Sequence, residues 1–387
     1  MMTRITGQYV RQNTTDEQVQ AFIPYPLPPR DPPLQLNAKI QALLHEAEQA
    51  LIRLDLAGDM VPSLDWFLYA FVRKEAVLSS QIEGTQATLV DLIAFEAQPA
   101  HTVPNQDVEE VCNYITALTY AREQLSSPTG LPLSNRLLNE THKRLMAGVR
   151  GANKLPGEMR RSQNWIGGTR PGNAMYVPPP PQILHDVMGD FERYFHADDD
   201  LHPLLRAGLL HVQFETIHPY LDGNGRLGRL LVSLLLEHWG LLKKPLLYLS
   251  LYFKRYQTLY YQHLNIARTD GDWERWLIFF LEGVITVANE ATQCARSLFA
   301  LVGEDRIRLM AHQHVHIAAL RLFELLPRHP LITVASGIAL IHATKPTVGR
   351  AVDILMDAGI LVETSGRKRD RIFSYQRYID VLRQEVD

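Results

Sequence analysis

Cysteine is nearly absent, with 2 in 387 residues. Cys112 and Cys294 stand far apart with no metal-ligand spacing around either, which excludes a disulfide framework and a zinc finger. Also missing is any run of the roughly 18 to 20 apolar residues that a spanning helix needs. The first residues, MMTRITGQYVRQNTTDEQ, lack the apolar stretch of a signal peptide. The expectation is a chain in the reducing cytoplasm with no membrane partner. Charge of one sign is scarce: a net −3 argues against a chain committed as a whole to coating nucleic acid or an anionic membrane. There is no repeat of solenoid period, no Walker A string, and no glycine-rich kinase loop with its partners. What is there is globular: 46% hydrophobic and 21% charged residues fit a packed chain of two or three domains.

Residues 1–35 hold a proline cluster, PYPLPPRDPP, which fixes φ repeatedly and removes backbone donors, so this segment reads as an extended arm. From about Leu36 to Phe95 apolar residues recur at helical spacing (Ile40, Leu43, Leu44; Leu68, Phe71, Val72, Leu78), which predicts two or three helices. Further helices are expected over 108–125 and 134–146, the latter capped by Ser134. Between 154 and 181 the pattern breaks. WIGGTRPGNAMYVPPPP places two short apolar runs around a Gly/Pro/Asn turn, as in a β-hairpin. Helices resume from Ile183 through 203–217 and 224–239 to a tryptophan-bearing stretch ending near Ala300. The last segment, a helical pair over 332–357 followed by GILVETSGRKRDRIFSY, has the order of a winged helix-turn-helix.

The string with the most chemistry runs from His218 to Arg229, HPYLDGNGRLGR. Leu227, Leu230, Leu231, Leu234 and Leu235 follow helical spacing, so Gly223-Asn224-Gly225 sits at a helix N-terminus. Free amides and the positive dipole end meet there, and glycines let a phosphate approach the backbone. Arg226 and Arg229 add two permanent cationic forks on one face, and Asp222 is a hard oxygen ligand suited to Mg²⁺ together with substrate phosphates. His218 can accept a hydroxyl proton near neutral pH. Taken singly, each feature is more often a turn, a cap or a solvated face. Within twelve residues and in this order they make a phosphoryl-transfer site.

This string resembles the motif of the Fic family, HPFx(D/E)GN(G/K)RxxR, at every position except the Phe, which is Tyr220 here. The resemblance implies a mainly α Fic-type core with a β-hairpin flap, and a protein adenylyltransferase that moves AMP from ATP to a Ser, Thr or Tyr hydroxyl of a target protein and of itself. It implies His218 as general base and Asp222 as holder of Mg²⁺. Gly223, Asn224, Gly225, Arg226, Leu227, Gly228 and Arg229 then form the ATP-binding loop and first turns, with Arg229 on the γ-phosphate. Upstream, Ser79 to Gly84 (SSQIEG) is similar to the family's inhibitory motif, with Ser79, Glu83 and Gly84 at its defining places. Glu83 would pair with Arg229 and occupy the cation that ATP needs. Trp165 to Val177 resembles the family flap, Ile166, Gly167, Gly168 and Thr169 being its nucleotide-proximal part. Tyr260 and Tyr261 resemble positions near the adenine base.

The resulting division is 1–104 as N-terminal arm and brake, 105–300 as the Fic core and 301–387 as the winged helix. From Asp305 onward there are 12 Lys+Arg against 9 Asp+Glu, with Arg367, Lys368, Arg369 and Arg371 in the last hairpin, too small an excess to establish a DNA surface. The expected partners are ATP, a protein with an exposed hydroxyl and, as a homodimer, a second copy of the chain; DNA stays open. A Fic-fold transferase of UMP, phosphocholine or phosphate, or a nucleotide-sensing transcription regulator, stands as the alternative.

Overall fold

Helical apolar spacing from Leu36 onward becomes helix almost throughout. The computed structural model describes residues 4–384 apart from 16, 60–63, 98–104, 150 and 152. Three helices, α1 (Ala38–Asp59), α2 (Leu64–Ile82) and α3 (Leu89–Ala97), precede the central group. The central group comprises α4 (Gln106–Ser126), α5 (Asn135–Leu145), α6 (Leu184–Phe195), α7 (Pro203–Ile217), α8 (Asn224–His238), α9 (Ser250–Arg255), α10 (Gln257–Thr269) and α11 (Trp273–Met310). Local caps set several starts: Ser134 accepts from the amide of Leu137, and Asp272 accepts from that of Arg275. α7 and α8 are apolar nearly all round. Between Leu204 and Ile217 every residue is buried but Arg206 and Glu215, which are partly buried, and this makes the pair the centre of the core. Among the described residues no helix is long and apolar enough to cross a membrane.

The N-terminal arm is more ordered than its prolines suggest. β1 (Gly7–Thr14) and β2 (Glu17–Pro24) pair as an antiparallel hairpin, with Gly7 opposite Pro24 and Thr14 opposite Glu17. The physical reason lies elsewhere in the chain: Val19 and Ala21 of β2 bury against Val177, Trp165 and Ala174, a contact that residues 1–35 alone do not reveal.

The hairpin expected over Trp165–Val177 does not form as two strands. One bridge, Ile166 to Tyr176, closes the loop, and a single 3-10 turn occupies Pro171–Asn173. Gly167 and Gly168 adopt φ of 68° and 73°, and a Cβ on Gly168 would meet the Asn173 carbonyl, so the backbone folds back instead of extending.

At the C-terminal end α12 (Ile317–Leu325), β3 (Leu331–Thr333), α13 (Val334–Ile341), α14 (Lys345–Asp357), β4 (Val362–Glu363), β5 (Ile372–Ser374) and α15 (Gln376–Arg383) follow in order. The strands make one antiparallel sheet in the order β3-β5-β4. α11 runs unbroken through residue 300, so the division expected there falls inside a helix. The division after 104 falls at the end of residues outside the description.

Candidate active site

The α7–α8 connection is built by two residues in left-handed backbone. His218 ends α7 at φ 49° and ψ 61°, and Gly223 opens α8 at φ 76°. Asn224, the first residue of α8, turns back on the loop: its Oδ1 accepts from the Tyr220 amide at 2.9 Å and its Nδ2 donates to the Tyr220 carbonyl at 2.8 Å. Asn224 is thus a brace for the loop. Tyr220 is fully buried, donates its hydroxyl to Asn139 at 2.7 Å and stacks on His142 at 3.8 Å. His142 accepts from the Gly157 amide at Nδ1, so its Nε2 carries the proton and donates to the Asp222 carbonyl at 2.9 Å. Burial pushes this ring down to about 4 and keeps that neutral tautomer in place.

Arg160 pins the same loop from the other side. Its Nε donates to the His218 carbonyl at 3.0 Å, its NH2 to the Pro179 carbonyl at 2.5 Å, and its amide to the Pro219 carbonyl at 2.9 Å. Neither Arg160 nor His142 stands out in the sequence. A basic or imidazole side chain on an ordinary helix or turn carries no spacing signal of its own. Their role becomes visible only when the loop they hold is placed.

His218 is the candidate base. Burial first, then the charges of Arg160 and Arg268, push it down to about 4, while Glu83 and the Glu215 carbonyl act in the opposite direction. The ring is neutral at pH 7 and able to take a proton. Asp222 keeps 40% of its side chain accessible; one oxygen accepts from the Gly223 amide at 2.6 Å and lies 3.6 Å from Arg226. Among the described residues no group of three or more His, Cys, Asp or Glu side chains could hold a metal. A lone accessible carboxylate beside a helix start fits Mg²⁺, which takes one or two carboxylates plus substrate phosphates and water.

The two arginines, three residues apart, take different partners. Arg226 is buried and paired with buried Glu110 at 2.8 Å, from α4. Arg229 points to α2, where its Nε donates to Ser79 Oγ at 2.9 Å, and one terminal nitrogen donates to the Ser79 carbonyl at 2.8 Å and to Glu83 at 2.7 Å. Ser79 and Glu83 are one helical turn apart, so both reach one guanidinium. Burial alone would raise the Glu83 carboxyl; Arg229 outweighs it, with Arg226 and His218 adding, and holds it below the usual carboxylate range. A Cβ on Gly225 would collide with the Glu83 carboxylate, which therefore lies directly over the first turn of α8. Gly84, just past α2, has φ 97° with open space around it, a conformational requirement and not a steric one.

Leu227 and Gly228 do not face this site. Leu227 is buried in the core, and Gly228 packs on Phe214 and Glu215 while its carbonyl meets the His211 ring at 3.2 Å. Tyr260, expected beside a base, is a core residue. It is 1% exposed, its hydroxyl meets His211 Nε2 at 2.8 Å, and its ring stacks on Phe253 at 4.5 Å. Tyr261, 47% exposed, has the open face. Tyr260→Phe is therefore expected to cost about 1 kcal/mol of stability through the lost buried hydrogen bond while leaving nucleotide affinity within twofold. Thermal melts and nucleotide titration check this together. In the flap, Thr169 and Arg170 both donate amides to Asn173 Oδ1 at 3.0 Å.

Residues 41–123 match the pattern of the Fic/DOC family N-terminal segment, and residues 132–236 match that of the Fic/DOC family itself. Over these two stretches the chain is similar to the Fic/DOC family. His218, Asp222, Gly223–Gly225, Arg226 and Arg229 all fall inside the second match, and Ser79 and Glu83 inside the first. The chain is similar to the protein adenylyltransferase Fic of Drosophila erecta, 31% identical over 196 residues, covering 49% of this chain and 36% of that protein. It is also similar to that of Drosophila grimshawi, 30% identical over 237 residues, covering 58% and 45%. These matches thus span less than half the length of either relative. Among solved structures, a Fic family protein from Desulfovibrio desulfuricans G20 superposes with a TM-score of 0.57 at 20% identity, covering 89% of this chain and 97% of that one. Fic-1 from C. elegans, residues 134–508, superposes at 0.53 with 20% identity, covering 68% and 74%. Both share the fold of this chain over the stretches they cover.

Proposed function

We propose that the protein transfers AMP from ATP to a Ser, Thr or Tyr hydroxyl of a protein, itself included, and that Glu83 holds this activity down. The observation that carries the reading is the convergence on one helix start of a neutral, half-buried imidazole, an accessible carboxylate, glycine amides and a guanidinium. In this scheme the hydroxyl loses its proton to the His218 ring as its oxygen bonds to the α-phosphorus, and the α–β phosphoanhydride bond breaks to release diphosphate. Mg²⁺, when bound at Asp222, neutralises phosphate charge. The amides of Gly223 to Gly225 and the dipole of α8 receive the phosphates. Arg226, fixed by Glu110, supplies positive charge from beneath the loop, and Arg229 takes the γ-phosphate once Glu83 releases it. Tyr261, not Tyr260, is then the aromatic ring available to the base.

Label from α-labelled ATP is expected on protein, and none from γ-labelled ATP or α-labelled UTP. Label from the γ-position would make the chain a kinase, and label from UTP a uridylyltransferase. A pH profile supplies a second test. Because the His218 ring is neutral down to about 4, kcat/KM of a Glu83→Gly protein is expected to stay level between about pH 7 and about pH 5, with no acidic limb near 6.5. Removing Glu83 also removes a charge that raises this group, so the sign of the effect is unchanged. A limb at the ordinary histidine value would remove His218 from the role.

The order of α12 to β5 and the three-stranded sheet support reading the C-terminal unit as a winged helix, with α14 at the recognition position and exposed Arg367, Lys368, Arg369 and Arg371 in its wing.

A further inference from the structure

Beside the flap lies a cleft of about 310 Å³. Tyr9, Gln18 and Gln20 of the N-terminal hairpin form one wall, Met175 and Tyr176 of the flap another, and Arg268 of α10 lies at its floor. Hairpin and flap act as one body. The Phe22 amide donates to the Val177 carbonyl at 2.9 Å, and the Glu17 carboxylate accepts from the Gly172 amide at 2.6 Å and pairs with Arg170 at 2.8 Å. The floor is one layer of side chains from the reacting imidazole: the Arg268 guanidinium lies 3.5 Å over the Tyr176 ring, and the Tyr176 hydroxyl donates to the carbonyl of Thr216, two residues before His218.

Among the described residues no carboxylate lines this cleft, and the influences on Arg268 are burial, then Tyr176 and Tyr9. A half-buried guanidinium without an acid partner has lost hydration and gained no counter-ion, so a ligand carboxylate is the group that gains most there. We propose that the cleft takes the stretch of a protein substrate flanking its acceptor hydroxyl, and that this stretch is acidic, a carboxylate pairing with Arg268 while the hydroxyl reaches His218. The inference rests on the transfer reading given above.

Arg268 is already held for such a contact, by Asn265 Oδ1 at 2.5 Å and by the Tyr176 face, so little side-chain freedom is lost on binding. Gln18 and Gln20 also line the cleft, and their side-chain amides carry both donors and acceptors for an extended main chain. Arg268 is one of the charges that disfavour protonation of His218, and a substrate carboxylate that neutralises it makes proton transfer to the ring easier.

The test is binding of fluorescent peptides to the full chain, read by anisotropy without nucleotide. A serine peptide flanked by glutamates is expected to bind about tenfold more tightly than its glutamine counterpart. In an Arg268→Glu protein the order is expected to invert in favour of a lysine-flanked peptide. Equal affinity of the glutamate and glutamine peptides, binding of neither up to millimolar concentration, or an Arg268→Glu protein that keeps the acidic preference would overturn the proposal. The peptide comparison on the unaltered chain stands even if the variant folds badly. Because no transfer is measured, failure of adenylyl transfer bears on the proposed function alone.

Discussion

Replacing Glu83 by glycine is expected to raise self-modification by roughly ten- to hundredfold, the span that corresponds to hydrogen bonds made to a charged group. The physical case starts at Arg229, whose side chain is 2% exposed and has three acceptors: Ser79 Oγ, the Ser79 carbonyl and Glu83. Losing Glu83 leaves two of these, so the guanidinium is not abandoned without partners and the fold persists. What it gains is a free direction toward the start of α8, where the carboxylate had lain over Gly225. A γ-phosphate can fill that direction with two charge-assisted bonds where the carboxylate made one. ATP affinity is therefore expected to rise together with the rate. Glu83→Gln, which keeps the volume and removes the charge, should fall between parent and glycine variant. Mass spectrometry of the three proteins after incubation with ATP and Mg²⁺ decides it. A glycine variant no more active than its parent removes the brake from the account.

Parts of this site are legible in the sequence for a definite reason. Functions carried by backbone, such as the amides after Gly223, demand glycines and a helix start at fixed spacing, and those leave a pattern in one dimension. Ser79 and Glu83 are legible for the same reason: one helical turn separates two groups that share a target. What the sequence withholds depends on partners far along the chain. The Tyr9 and Phe22 strands look like a polar arm until Val177 supplies the surface that β2 buries against. Tyr260 and Tyr261 are adjacent and equivalent as letters, and only the helix phase of α10 sends one into His211 and the other outward. Arg226 and Arg229 read as a pair, yet Glu110 in α4 claims one and α2 claims the other. The Trp165–Val177 segment turns back without forming two strands, because two glycines at positive φ fold the backbone.

Glu215 shows the same limit in the electrostatics. It precedes His218 by a turn of α7 and gives no motif signal, yet burial pushes its carboxyl up to about 7, Arg229 opposing and Glu83 reinforcing the rise. A carboxyl that is about half neutral near pH 7 adds less negative charge beside the start of α8 than an ordinary glutamate would.

Removing the imidazole is expected to lower transfer by about 10² to 10⁴, the usual range for a general base, whether His218 becomes alanine or asparagine. The two replacements separate chemistry from backbone. His218 sits at φ 49° and ψ 61°, a conformation that costs an alanine about 1 kcal/mol and that asparagine adopts more readily. The loop itself is held through main-chain groups, the His218 carbonyl to Arg160 at 3.0 Å and the Pro219 carbonyl to the Arg160 amide at 2.9 Å, and neither substitution touches them. Both variants should therefore fold, with the asparagine form melting at a temperature closer to the parent's, while losing activity equally. Initial rates in the Glu83→Gly background and thermal melts of each protein measure the two effects separately. If either variant keeps its rate within about tenfold of the Glu83→Gly parent, the proton goes elsewhere and His218 is only the cap of α7.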